Sequence, residues 1–101
     1  MNDQVVLHVT MEAVDGHEDE LRDQLNALVA PTREEAGCLE YNLHRDPEHP
    51  GNFMFYERFV NQAALDAHIA TAHFQSFVQY RAAAKPDPVA KVVATRWRQI
   101  A

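Results

Sequence analysis

The order of strand-like and helix-like patterns is the feature that most constrains the fold. Alternating apolar and polar residues predict four strands, at Val5–Glu12, Cys38–Asp46, Asn52–Val60 and Val89–Ile100. Helical stripes lie between the first and second strands and between the third and fourth. This β-α-β-β-α-β order predicts a ferredoxin-like α+β fold, a four-stranded antiparallel sheet with both helices on one face. At 101 residues the chain has the length of one domain, residues 1–101.

Local signals predict the ends and the interruption of the first helix. Asp15 followed by Glu18 resembles a capping box at its start, where acidic residues also suit the helix dipole. Pro31 lies within the apolar stripe and cannot donate to the carbonyl four residues back, so a kink or break is expected near Ala27–Ala30. Gly37 is expected to end the segment.

The second helix is predicted to begin after Asn61, whose side chain is a favoured N-terminal cap. Its first apolar face contains Leu65, His68 and Ile69. The stripe then shifts, which predicts that the helix bends or restarts near Thr71–His73.

The sheet order and the assembly follow from the topology. Right-handed crossovers place the first and third strands in the middle of the sheet. Helices on one face of the sheet leave its other face uncovered. The run Phe53–Phe59 nevertheless has apolar residues on both sides, which is typical of a strand buried on both faces. Something else must then cover the second face. We therefore expect a homodimer, packed sheet to sheet about a two-fold axis.

Charge and composition exclude several classes of function. The net charge is −6 and the basic residues form no stripe, which argues against nucleic-acid binding. No apolar run approaches the roughly 20 residues of a membrane helix, and the first ten residues lack the basic start of a signal peptide. A single cysteine, Cys38, excludes an internal disulfide and a cysteine-based zinc site. The cytoplasm is the expected location.

One acid lies within the aromatic run. Glu57 shares a strand face with Phe53, Phe55 and Phe59 if the strand is regular. A carboxylate among these rings loses its hydration, so the neutral carboxyl is favoured unless a cation or a hydrogen-bond donor binds the charged form. Glu57 is therefore either a structural acid held by such a partner or an acid or base of a pocket.

Two histidines follow on the second helix. His68 lies on the apolar face and is either a buried core residue or a pocket residue. His73 is five positions further on, about 140° around a regular helix, so both face one pocket only if the helix bends. Helical zinc ligands usually lie four residues apart, so no metal site is expected. Glycine-rich phosphate loops and dinucleotide motifs are also missing, and no bound cofactor is expected.

Four strings, each weak alone, are fairly specific in their order and spacing. They are E-A-G-C-L-E-Y at Glu35–Tyr41, D-P-E-H-P-G-N-F at Asp46–Phe53, Y-E-R-F at Tyr56–Phe59 and A-L-D-A-H-I-A-T-A-H-F at Ala64–Phe74. Over nearly its whole length the chain resembles the antibiotic biosynthesis monooxygenase family of dimeric α+β barrel proteins. Haem-degrading relatives resemble one another in a tryptophan at the position of Phe59, so this resemblance argues against haem degradation.

The resemblance implies a cofactor-independent monooxygenase that acts on a hydroquinone or an aromatic polyketide-like substrate with O2. Glu57 and His68 are expected to handle protons, and His73 and Asn42 to orient the substrate. The side chains expected to form the cavity are Phe53, Phe55, Phe59, Ile69, Phe74 and Phe77. Two other functions remain open: an isomerase that uses the same pair without O2, and a non-catalytic dimeric ligand-binding module.

Overall fold

The computed structural model describes residues 3–101 and contains eight regular elements. In chain order they are β1 (Val5–Ala13), α1 (Glu18–Asn26), α2 (Val29–Arg33), β2 (Cys38–Arg45), β3 (Asn52–Phe59), α3 (Gln62–Ile69), α4 (Ala72–Ala83) and β4 (Val89–Trp97). The predicted strands are all present, and the last one ends three residues earlier than expected.

The four strands form one antiparallel sheet in the order β2-β3-β1-β4. The first and third strands are central, as the crossover rule predicts. Side chains from one face of β1, β2 and β3 join those of the helices in a single buried cluster that includes Val9, Leu25, Phe55, Leu65 and Phe77. The predicted ferredoxin-like α+β fold, with the helices on one face, is confirmed.

Both helical segments are interrupted where the sequence indicates. α1 ends at Asn26 and α2 begins at Val29, which confirms the break that Pro31 predicts. α3 begins after Asn61, whose side chain accepts a hydrogen bond from the backbone N–H of Ala64, as predicted.

The capping box predicted at Asp15 and Glu18 is wrong. α1 begins at Glu18 itself, and the preceding His17 makes no side-chain capping bond. Glu18 Oε1 instead accepts a hydrogen bond of 2.9 Å from the backbone N–H of Gly16. Glu18, Asp19 and Glu20 still place three acidic side chains in the first turn, where the helix dipole favours negative charge.

β3 is not buried on both faces in the described chain, contrary to prediction. Its burial alternates, with a buried face that consists of Phe53, Phe55, Glu57 and Phe59. Met54, Tyr56 and Arg58 point to the other face and are half-buried, because only the helix side of the sheet is covered. None of the helices in residues 3–101 has the length and apolar character needed to cross a membrane.

Candidate active site

Glu57 lies in the middle of the sheet, on the face that the helices cover. The period of two along β3 points it to the same side as Phe55 and Phe59. Its neighbours across the sheet are Leu7 on β1 and Tyr41 on β2. Only 6% of Glu57 is exposed, so an ionisable group lies among hydrocarbon and aromatic side chains.

The carboxyl group of Glu57 has no charged partner. Among residues 3–101 it takes part in no ion pair and no side-chain hydrogen bond. Burial raises its pKa to about 7, and the negative charge of Glu35 adds to this increase. Burial, with the charge of Glu57, also raises the pKa of the Tyr41 hydroxyl above its usual range. Glu57 is therefore largely protonated below neutral pH.

His68 lies in the last turn of α3, and aromatic rings surround its imidazole. Its ring centroid is 5.5 Å from that of Tyr41, 5.1 Å from Phe59 and 5.0 Å from Phe74. Only 2% of the residue is exposed. A hydrogen bond of 2.9 Å joins His68 Nδ1 to Glu35 Oε2. The rings and this bond together fix the orientation of the imidazole.

A second histidine reaches the same oxygen because the helix restarts. Thr71 follows the end of α3 and caps α4. Its hydroxyl donates to the carbonyl oxygen of His68 over 2.7 Å and accepts from the backbone N–H of Phe74 over 3.2 Å. The change of direction brings His73 Nε2 to 2.7 Å from Glu35 Oε2. Glu35, in the loop before β2, therefore links both histidines.

Glu57 and His68 each keep a free polar atom beside a cavity. Both residues line a cavity of about 450 Å³ between the sheet and helices α3 and α4. Among residues 3–101, Thr32 Oγ1 is the sole fully buried side-chain polar atom without a partner. The unpartnered carboxyl oxygens of Glu57 and Nε2 of His68 must therefore retain access to this space.

Most of the other lining residues are apolar, and the cavity has the size of a small-molecule site, about 300–1,000 Å³. Leu7, Val9 and Phe55 from the sheet form one wall, and Leu65, Phe74 and Phe77 from the helices form the opposite wall. Arg81 and Asp87, which line the same cavity, form an ion pair of 2.9 Å. The lining thus combines apolar walls with two ionisable groups, Glu57 and His68.

Six of the ten side chains predicted for the site line this cavity: Phe55, Glu57, His68, Ile69, Phe74 and Phe77. Four do not. Phe53 packs in the core, with the Arg45 guanidinium 5.3 Å from its ring centroid. Phe59 is fully buried behind His68, and His73 contacts Glu35 instead of the cavity. Asn42 lies on the other face of the sheet, where its side chain binds Arg33 and Glu40. The substrate-orienting role predicted for Asn42 is wrong for this cavity, because strand alternation points the adjacent Tyr41 inward instead.

Sequence reasoning missed Glu35 as a site residue. It lies 33 positions before His68 in the chain. It belongs to a loop, where no periodic pattern predicts the orientation of a side chain. The string Glu35–Tyr41 supplied the only signal. Tyr41, at the end of that string, was not among the predicted site residues although it lines the cavity.

The sheet, the covering helices and the two ionisable residues at the wall of the cavity define a ferredoxin-like α+β protein with a candidate small-molecule site. The family model described as antibiotic biosynthesis monooxygenase matches residues 4–80. The chain belongs to this family, as the sequence strings indicated.

Several known proteins are similar to this chain. The crystal structure of PA3566 from Pseudomonas aeruginosa has a TM-score of 0.90 and 35% identity, over 100% of this chain and 98% of that one. Rv0793 of Mycobacterium tuberculosis, provisionally named a monooxygenase, is 35% identical over 56% of this chain. An isomerase of (4S)-4-hydroxy-5-phosphonooxypentane-2,3-dione from Salmonella paratyphi B is 26% identical over 72% of this chain and 79% of its own length.

The matches to other relatives are partial in length. Synechocystis protein sll1783 is 35% identical over 73% of this chain, which corresponds to 48% of that protein. The match to Rv0793 spans 55% of its length. The chain thus spans about half the length of these two relatives.

Proposed function

We propose that this protein is a cofactor-independent monooxygenase that oxidises a hydroquinone, or a related electron-rich aromatic polyketide, with O2. The observation that carries the proposal is the position of Glu57: a buried, unpaired carboxyl that shares an apolar cavity with His68. Family membership and relatives named as monooxygenases support it.

The reaction balances without an external reductant. A hydroquinone that gains one oxygen atom becomes a hydroxyquinone, while the second atom of O2 leaves as water. All four electrons needed to reduce O2 come from the substrate ring. A deprotonated hydroquinone is a strong enough reductant to transfer an electron to O2, so the protein has to control protons and exclude water.

The two polar groups suit these proton transfers. Nε2 of His68 accepts the hydroxyl proton, the phenolate gives one electron to O2, and the two radicals combine in a C–O bond. His68 then protonates the peroxide. Neutral Glu57 donates a proton to the departing hydroxide and takes up the ring C–H proton, so both residues return to their initial states. A pKa of about 7 allows Glu57 to act in both directions near neutral pH.

The test is oxygen consumption with 1,4-naphthalenediol as the probe. We expect Glu57→Gln and His68→Ala to remain folded but to consume O2 at least about 100-fold more slowly than the wild type, because a general acid or base usually contributes a factor of this size. Glu48→Gln and His49→Ala, on exposed residues of the turn between β2 and β3, are the matched controls and should retain the rate. Full activity in both site variants would exclude this mechanism.

An isomerase is the second candidate, and the Salmonella relative is the observation that favours it. Isomerisation of a hydroxyketone moves protons between neighbouring carbon and oxygen atoms, which an acid and an imidazole can accomplish without O2. The substrate in the name of that relative, (4S)-4-hydroxy-5-phosphonooxypentane-2,3-dione, separates the two candidates when it is incubated without oxygen. Conversion followed by NMR under anaerobic conditions would favour the isomerase, whereas conversion of a hydroquinone only in the presence of O2 would favour the oxygenase.

A further inference from the structure

Three side chains that approach one another at the junction of α3 and α4 form a set of metal ligands. We propose that Glu35, His68 and His73 bind a divalent transition-metal ion of the zinc type. One donor atom from each of them lies within 4.8 Å of the other two. The spacing of five between the histidines argued against such a site on a continuous helix, but the restart at Thr71 and the third donor from Glu35 remove that objection.

The donor set suits such an ion. Two imidazole nitrogens and one carboxylate oxygen are ligands that zinc, cobalt and nickel accept. The three donors come from the loop before β2, the last turn of α3 and the first turn of α4. An ion held between them would bind three segments of the chain together.

Two of the three donor separations are already close to those around a bound ion. Glu35 Oε2 is 2.9 Å from His68 Nδ1 and 2.7 Å from His73 Nε2. Ligand bonds of about 2.1 Å at tetrahedral or right angles place donors about 3.0–3.4 Å apart. The third separation, between the two histidine nitrogens, is within 4.8 Å and would reach this range by rotation of the side chains. Glu35 Oε1 has no hydrogen-bond partner among residues 3–101 and is free to become a second ligand atom.

The site is reachable from solvent and separate from the cavity. The side chains of Glu35 and His73 are 15% and 23% exposed, which leaves a route for the ion. Of the three residues only His68 lines the cavity, so its ring lies between the ion and any substrate. The ion would therefore act on His68 and would not contact the substrate directly.

Ion binding has a consequence for catalysis that rests on the proposed function. The ion takes the lone pair of His68 Nδ1, and the ring proton then moves to Nε2. Protonated Nε2 cannot accept a proton from the substrate. The ion should consequently inhibit the oxygenase instead of activating it.

The test is calorimetric titration of the full, tag-free chain with Zn2+, without any substrate. We expect one ion per chain, bound at least about tenfold more weakly by Glu35→Gln and by His73→Gln. His49→Gln is the matched control, because His49 and Asp46 form an exposed pair, 3.3 Å apart, with only two donors. The control should bind like the wild type.

A second measurement protects the test against misfolded variants. His73→Cys keeps a donor at this position, so its Co2+ complex should gain a thiolate charge-transfer band that the wild-type complex lacks. Absence of Zn2+ binding to the wild type at millimolar concentration would overturn the proposal. Equal affinity in the wild type and in both ligand variants would also overturn it. Neither result depends on turnover, so the proposed function is tested separately.

Discussion

The two glutamates of the site illustrate how environment separates identical side chains. Glu35 is half-buried and receives hydrogen bonds from two imidazoles, whereas Glu57 has no such partner and lies between Leu7 and Tyr41. The negative charge of Glu35 further disfavours ionisation of Glu57 and raises its pKa. A carboxyl and an imidazole beside one cavity can therefore hold a proton and accept one at the same pH.

The raised pKa of Glu57 predicts a pH dependence of stability. The folded pKa is about 7 against an ordinary value of 4.5, so between these values the folded state binds more protons than the unfolded state. The free energy of unfolding should fall as the pH rises through this window, by about 3 kcal/mol from Glu57. Urea unfolding at pH 5 and pH 8 measures this loss.

Glu57→Gln cannot titrate and should not show that part of the loss. Its stability relative to the wild type should therefore increase between the two pH values, while Glu48→Gln follows the wild type. Parallel stability changes in wild type and Glu57→Gln would contradict the buried neutral state.

Site residues were predictable from the sequence where a single strand or helix determines their position. Glu57 was recognisable because its aromatic neighbours are two residues away along the same strand. Asn42 was expected to orient the substrate, although strand alternation places it on the sheet face opposite to that of Tyr41. Glu35 could not be placed, since its contact with His68 depends on how a loop packs against a distant helix.

Among the elements, α3 is positioned by an unusually close contact with the loop before β2. A Cβ added to Gly37 would overlap Cβ of Ala64 on α3. Gly37 also accepts a hydrogen bond of 2.9 Å from the backbone N–H of Val60, near the end of β3. The missing side chain thus allows the helix that carries His68 to lie close to the sheet.

This contact predicts that Gly37→Ala is destabilising by about 1–3 kcal/mol, because the helix has to move outward. Ala64→Gly alone should cost about 1 kcal/mol through lower helix propensity. The double variant removes the overlap and should be more stable than the sum of the two changes predicts. Chemical denaturation of all four proteins measures the coupling, and strictly additive changes would show that the overlap is not the cause.

Element order and helix interruptions were predictable because they arise from local signals. Asn61 caps α3 through its own side chain, and Pro31 prevents one continuous helix whatever surrounds it. The start of α1 was less predictable, since Asp15 and Glu18 matched a motif that the backbone satisfies differently, through Gly16.

For the whole molecule, the sheet face opposite the helices is open in a single chain. Val93 and Trp97 lie there, 42% and 61% exposed, in register with Thr10 and Val6 of β1. Exposed apolar side chains on a sheet face are typical of an interaction surface. A second copy of the chain, related by a two-fold axis, remains our proposal for what covers it.

This proposal predicts the oligomeric state. Light scattering after size-exclusion chromatography should give a dimer for the wild type and a monomer for Val93→Arg or Trp97→Arg, because a buried unpaired charge is costly. Ile100→Arg is the control: its residue is 93% exposed but lies beyond the end of β4. A monomeric wild type at micromolar concentration would refute the sheet-to-sheet dimer.

The short turn at Thr71 also makes the site sensitive to chain length. One residue inserted after Ala70 would rotate α4 by about 100° relative to α3 if the turn did not absorb it. The two rings that now share Glu35 would point in different directions, while the strands would keep their pairing. Natural variants whose turn is one residue longer or shorter should thus separate His73 from His68, even if both histidines are preserved.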